Sequence, residues 1–282
     1  MSKANFQTII RPKRHLFDLN LSELWRYRDL VFMFVRRDFA TYYKQTILGP
    51  LWFVLQPLLT TAIFLVIFGR IANIPTDGIP PVLFYLSGVV MWNYFAECLK
   101  KTSNTFIANE NIFGKVYFPR LSVPFSVVIS NLMTFVIQLV LLLLVLAYYV
   151  WEGQARVAVG WNLLLFPLLV LQIALLGLGF GVLVSSLTTK YKDLVFLVQF
   201  GVQLWMYVTP IAYPLSQIPE RWQVWFALNP MTGVVENFRF LMLGQGSIDP
   251  LTTWTGVGVT LVVFVLGVLL FNRVEKSFMD VI

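Results

Sequence analysis

The chain has 282 residues, of which 58% are apolar and 12% charged, against roughly 25% charged residues in a soluble domain. That composition excludes a water-soluble enzyme or binding module, and a single cysteine, Cys98, excludes an intrachain disulfide and a thiolate metal cluster. The net charge of +7 raises nucleic acid as a partner, but the cations are spread along the chain and form no single basic stripe, so no nucleic acid is expected.

A span needs about 20 mostly apolar residues to cross roughly 30 Å of hydrocarbon. Six such runs lie at 48–69, 81–99, 123–150, 161–187, 194–213 and 252–271. They leave no room for a separate soluble domain, so residues 1–282 read as one all-α integral membrane domain. The first run starts too late to be the h-region of a cleaved signal peptide. Of the 21 Lys and Arg residues, 17 lie in 1–47, 100–122, 188–193 and 272–282; the other four are Arg70, Arg156, Arg221 and Arg239. By the positive-inside rule both termini are cytoplasmic, with six spans between them. His15, alone in a basic tail, reads as solvated.

Residues 22–45 predict a different kind of helix. At 100° per residue, Glu23, Arg26, Asp29, Arg36, Arg37 and Lys44 share one face, and Leu24, Trp25, Val31, Phe32, Val35, Phe39, Tyr42 and Tyr43 share the other. Such a helix lies in the membrane interface, with cations toward anionic lipid. It is either a simple anchor or a partner-binding element.

The first span opens with Gly49-Pro50 and carries Gly49, Trp52, Phe53, Gln56 and Thr60 on one helical face; the fifth carries Phe196, Gln199, Phe200, Gln203 and Tyr207 in the same way. Polar side chains at membrane depth face protein or water, because lipid cannot satisfy them. The two stripes either border a path for hydroxyl-rich cargo or pair amides between helices. Glu97 precedes Lys100 and Lys101 by three and four residues near the end of the second span, where the cations make a carboxylate cheap. In the connector 100–122, Thr102 or Ser103 can cap a short helix to Phe113, stopped by Gly114. Gly177, Gly179 and Gly181 spell G-x-G-x-G, but without a strand or phosphate-binding turn the reading is close helix packing.

In the connector 214–251, Pro219 starts one short helix ending at about Leu228. Asn229 caps a second, with Pro230 in its first position, which stops at Gly244. Both are too short to cross, and a seventh span would put the Arg273–Lys276 tail outside. The hairpin 214–243 is therefore expected to be re-entrant, with a surface-lying pair as the alternative; Glu236 and Arg239 are spaced to pair.

An interfacial N-terminal helix, Leu48-Gly49-Pro50-Leu51-Trp52 running into Gln56-Pro57, Phe118-Pro119-Arg120, and Asn229-Pro230-Met231-Thr232 followed by Glu236-Asn237-Phe238-Arg239 together resemble one family. It is the permease subunit of ABC-2-type polysaccharide exporters, and the resemblance covers about residues 15–282. It implies a chain of the bacterial inner membrane that pairs with a second copy of itself and with two ATP-binding cassette subunits. Those subunits would grip the helix 22–45 through Arg36 and Arg37, and a coupling helix at 103–113 bearing Asn104, Thr105, Phe106, Asn109, Glu110 and Asn111. It also implies a polyprenyl-linked glycan as cargo, a conduit bordered by Trp52, Phe53, Phe196, Phe200, Trp205 and Tyr207, and an outer gate made by the hairpin with Asn229, Pro230, Glu236 and Arg239. With Gln56, Gln199 and Gln203 among them, the resemblance moves the stripes toward a pathway.

The chain has no G-x-x-x-x-G-K-[ST] segment, so it is expected to bind no cofactor and to leave ATP-Mg to a partner subunit. Its spans carry no paired carboxylates, His cluster or Arg ladder of an ion-coupled carrier. An ABC-2 exporter of a small molecule or drug, a passive channel, and a membrane-embedded glycosyltransferase or acyltransferase using Glu236 stay as alternatives.

Overall fold

A computed structural model describes residues 21–44, 47–113, 115, 118–157, 160–246 and 248–278; the N-terminal tail with His15, and Gly114, lie outside the described residues. The described residues are mostly helical, with no strand among them. Helices α1 (Leu21–Arg26) and α2 (Arg28–Lys44) form one amphipathic arm interrupted at Tyr27. Then come α3 (Trp52–Phe64, within a helical run Gly49–Ile71), α4 (Pro81–Ser103), α5 (Thr105–Ala108), α6 (Glu110–Phe113) and α7 (Ser122–Trp151). After these follow α8 (Phe166–Thr188), α9 (Leu194–Val208), α10 (Glu220–Leu228), α11 (Pro230–Leu243) and α12 (Pro250–Phe278).

Among the described residues, five helices are long and apolar enough to cross a membrane: Gly49–Ile71, Pro81–Ser103, Ser122–Trp151, Leu163–Thr188 and Pro250–Val274. The chain is thus a multi-pass membrane protein. The fifth apolar run differs from expectation. Its helix, α9, has 15 residues, which at 1.5 Å rise each is about 22 Å, short of the roughly 30 Å of hydrocarbon. Thr209 precedes Pro210, which disfavours helical geometry at Thr209, and Thr209 is extended (φ −95°, ψ 142°). Residues 209–212 are buried irregular backbone, a form tolerated at membrane depth only inside protein.

Helix α4 is the hub. It packs against α3, α7, α8, α9 and α11, and 83% of its apolar window is buried. Small residues let α8 lie flush between α4 and α12, as the G-x-G-x-G reading expects. A Cβ at Gly177 would come 2.7 Å from Cys98 Cβ on α4, one at Gly181 would overlap Thr102, and one at Gly179 would come 2.8 Å from Phe264 Cα on α12. Without a general driving force between apolar surfaces in lipid, such close contact is what holds helices together. The ends of α4 and α8 are also tied, Thr188 Oγ1 donating to the Ser103 carbonyl at 3.0 Å.

Two local expectations are corrected. Thr102 and Ser103 do not cap a new helix: α4 runs through them, because their neighbours keep helical geometry and Ser103 Oγ donates back to the Lys100 carbonyl at 2.7 Å. The coupling segment is accordingly two single turns, α5 and α6, and not one helix from 103 to 113. On the arm, Val31, Phe34 and Val35 are buried, at i, i+3 and i+4, while Trp25 and Phe32 are exposed. Helix α2 packs against α7.

Candidate functional site

Three groups of residues carry chemistry beyond packing. The first is at the hairpin. Asn229 caps α11 as expected, accepting from Met231 N at 3.1 Å, and Gly244 ends the helix with φ 66°. Asn229 does more than cap: its Oδ1 also accepts from Trp205 Nε1 at 3.1 Å, and its Nδ2 donates to Thr209 Oγ1 at 3.0 Å. Pro230 is buried.

Arg239, 2% exposed, pairs with Glu236 at 3.0 Å as its spacing predicts. The same guanidinium donates to the carbonyls of Pro210 (2.8 Å), Ile211 (3.1 Å) and Phe84 (3.2 Å), and its carbon lies 3.6 Å from the centroid of the Phe84 ring. The break after α9 frees two carbonyls, and the buried cation takes both. Gly88 leaves the space, since a Cβ there would sit 3.1 Å from Arg239 Nη2. The two hairpin helices differ. Most of α11 is buried, whereas α10 presents Trp222, Val224, Trp225 and Leu228 outward.

The second group is the pair of stripes. Trp52 and Gln56 on α3 are exposed, Phe53 is buried and Thr60 is half-buried, bonding back to the Gln56 carbonyl. On α9, Phe196, Gln199, Phe200, Gln203 and Tyr207 are all exposed, and Val202 alone of that helix is buried. Tyr207 of the α9 stripe meets Phe64, the last residue of α3, with ring centroids 6.5 Å apart. Trp205 points the other way. Besides its bond to Asn229, it packs edge-on against Phe95, Phe180 and Trp92 at 5.1, 5.2 and 6.2 Å.

The third group lies at the opposite end of the bundle. Arg36, Arg37, Glu110 and Asn111 are exposed, Asn104 is half-buried, and Thr105, Phe106 and Asn109 are buried. Arg37 is held by Asp38 at 2.9 Å and lies over the Phe34 ring. A run of ring contacts not foreseen from the sequence joins the arm to the last span: Phe34 to Phe118, Phe118 to Phe113, Phe113 to Phe106, and Phe106 stacked on Phe271 at 4.6 Å.

Between these groups lie two adjoining cavities. The larger, about 610 Å³, is bounded by Arg37 and Asp38 of the arm, Asn104, Thr105 and Asn109 of the connector, and Gln199 of α9. The smaller, about 230 Å³, reaches in behind Gly49, Trp52, Phe53 and Gln56 to Asn93 and Gln138. Glu97, Lys101, Asn131 and Thr134 line both. Lys101 bridges Glu97 (3.2 Å) and Asn131 Oδ1 (2.8 Å), and Lys100 stands 4.0 Å from Glu97. Sequence reasoning paired Glu97 with its lysines but missed the polar series it belongs to. The signal was there: Asn93, Glu97 and Lys101 recur every four residues on one helix, and Asn131, Thr134 and Gln138 follow helical spacing on the next.

Comparison with known proteins fits this arrangement. The O-antigen export system permease protein RfbA of Klebsiella pneumoniae is 26% identical over 258 residues, covering 90% of this chain and 95% of that protein. A protein of the same name from Myxococcus xanthus is 28% identical over 244 residues, covering 85% and 90%. The polysialic acid transport protein KpsM of Escherichia coli is 22% identical over 253 residues, covering 86% and 92%. The ABC-2 type transporter family matches residues 29–243. That match starts inside α2 and ends with α11, so it takes in most of α2, the cavities, the stripes and the arginine-held hairpin: the chain belongs to the ABC-2 type transporter family.

Proposed function

We propose that this chain is the membrane subunit of an ATP-driven exporter that moves a lipid-linked polysaccharide across the bacterial inner membrane. It works as a pair of copies with two ATPase subunits, which hold ATP-Mg; the chain itself performs no hydrolysis. Both termini face the cytoplasm with α1, α2, α5 and α6, where exposed Arg36, Arg37, Glu110 and Asn111 meet the ATPase. The aromatic chain from Phe34 to Phe271 supports those contacts from behind.

The observation that carries this reading is the uncovered stripe of α9, continued by Trp52 and Gln56 of α3. Gln199 and Gln203 stand exposed beside Phe196, Phe200 and Tyr207 in an apolar helix. Carboxamides are not left against lipid, so protein or a polar path covers them in the working assembly. Amide edges and aromatic planes together suit sugar rings, and the relatives named for O-antigen and polysialic acid export align along most of the chain. The hairpin closes the outer end, with α11 tied to the end of α9.

The test is reconstitution. The chain is purified with and without its ATPase partner and placed in proteoliposomes, and delivery of a labelled lipid-linked glycan to the far side is followed. ATP-dependent delivery requiring both proteins is expected. Glycan movement without the ATPase would sink the proposal, and ATP-dependent export of small apolar compounds alone would replace it with a drug exporter.

A further inference from the structure

The smaller cavity holds more hydrogen-bonding capacity than the chain uses. Four carboxamides line it, from Gln56, Asn93, Asn131 and Gln138. Each carries two N–H donors and one carbonyl acceptor. Among the described residues, the bonds these side chains make are few. Asn93 reaches Gln138 at 3.5 Å, the limit of a hydrogen bond, and Lys101 donates to Asn131 Oδ1. Asn131 is 4% exposed, yet its Nδ2 has no partner. Asn93 stands midway along α4 and Gln138 midway along α7, so the cleft reaches the centre of the bundle.

An orphaned amide in hydrocarbon costs several kcal/mol. A cavity lined by four carboxamides, one of them with a buried N–H left unpaired, therefore takes a polar occupant. Three features say which. Glu97 and Lys101 neutralise each other at 3.2 Å, so the walls are not tuned to a phosphate. Trp52 adds a broad apolar plane on the side where the cavity meets the exposed stripe, which water alone does not need. The volume, about 230 Å³, is under the roughly 300–1,000 Å³ of pockets for drug-sized ligands, and fits one ring. Hydroxyl edges with an apolar face are the chemistry of a sugar.

We propose that the cleft between α3, α4 and α7 binds a single hydroxyl-rich sugar ring of the lipid-linked cargo through Gln56, Asn93, Asn131 and Gln138. This inference rests on the polysaccharide reading above and adds to it a recognition site set behind the stripe of α3, apart from that of α9.

The experiment uses the full transporter, chain plus ATPase, in phosphatidylcholine nanodiscs. Two radiolabelled probes are compared by equilibrium binding: a polyprenyl pyrophosphate bearing one N-acetylglucosamine, and the same polyprenyl pyrophosphate without sugar. The sugar-bearing probe is expected to bind about tenfold more tightly, which is about 1.4 kcal/mol. Asn93→Leu and Gln138→Leu bring that ratio close to one, leaving the sugar-free probe unchanged. Gln56→Leu, at an exposed position where folding is not at issue, lowers the ratio in the same direction. A ratio near one in the unmodified protein means that the cleft holds water only, and overturns the inference. So does a ratio that survives all three substitutions, which would put sugar recognition elsewhere. ATP-driven glycan export is measured in parallel on the unmodified protein. Its failure would refute the proposed function, whereas normal export with a ratio of one refutes this inference alone.

Discussion

Replacing Arg239 by leucine removes four hydrogen bonds, to Glu236 and to the carbonyls of Pro210, Ile211 and Phe84. The losses are unequal. Phe84 O keeps a bond from Ser87 Oγ, but the Pro210 and Ile211 carbonyls accept no other bond among the described residues. Each orphaned buried acceptor costs about 1–3 kcal/mol, and stripping one partner from a buried ion pair costs about 3–5 kcal/mol. Because these overlap, about 3–5 kcal/mol in total is expected for Arg239→Leu. Glu236→Gln keeps an oxygen that accepts from the guanidinium and leaves its three carbonyls in place, and the carboxylate replaced is itself 19% exposed, so it should cost only about 1 kcal/mol. For a chain of this size about 2–4 °C accompanies each kcal/mol. Heating in detergent followed by size-exclusion chromatography should then put the leucine variant about 10 °C below the parent and the glutamine variant about 3 °C below. Unfolding there is irreversible, so the order of the two variants decides. Equal shifts would mean that the ion pair carries the stability, and that the carbonyls freed by the break after α9 do not need Arg239.

Gly181→Val should lower thermal stability by the upper part of the 1–3 kcal/mol range for overpacking, because the obstacle is Thr102 and the Leu99 carbonyl on α4 and neither can move aside; an unchanged melting profile would contradict the close packing of α8 on α4. Asn229→Ala loses a helix cap and orphans Trp205 Nε1, for about 2 kcal/mol. In a cycle with Trp205→Phe the two effects should be non-additive by at least about 0.5 kcal/mol, and strict additivity would deny the bond between them. Glu110→Arg, at an exposed position on α6, should weaken association with the ATPase about tenfold, about 1.4 kcal/mol, without changing the chain's own melting. Intact association, measured by co-purification at graded ATPase concentration, would remove α6 from the proposed contact.

How far these features were legible depends on whether their cause is local. Gly177, Gly179 and Gly181 announced close packing because small side chains in an apolar helix have few other uses, and Asn229-Pro230 with Gly244 framed α11 because capping is decided within a few residues. The Glu236–Arg239 pair was legible for the same reason. Its larger role was not, since its partners lie 28, 29 and 155 residues away. Thr209-Pro210 did signal a break inside an apolar run, and hydropathy hid it because the broken residues remain apolar and buried. Trp205 was placed with the conduit aromatics by resemblance, although Gln199 and Gln203 set the phase of α9 and leave Trp205 on its other side; the Asn229 bond shows that this ring turns inward. Thr102 and Ser103 misled through a real ambiguity: a hydroxyl that caps a new helix can equally bond back within the old one.

The cavities toward one end of the bundle and the arginine-held hairpin toward the other share one structural member. Toward one end, α4 carries Glu97 and Lys101 into the cavities that Arg37 and Asn109 also line, and its last residue, Ser103, accepts from Thr188. Toward the other, its Phe84 carbonyl and ring are held by Arg239, whose remaining bonds fasten the end of α9. Helix α9 is otherwise loosely attached, with one buried residue along its length, so its position is set mainly at that fastened end. A tilt of α4 therefore shifts Phe84, and with it the guanidinium, the Pro210–Ile211 carbonyls and α11 together. Moving α11 alone would strip a buried cation of its acceptors, at a cost of several kcal/mol. A displacement that carries α11 and the end of α9 together keeps those bonds, so the two are expected to move as one unit.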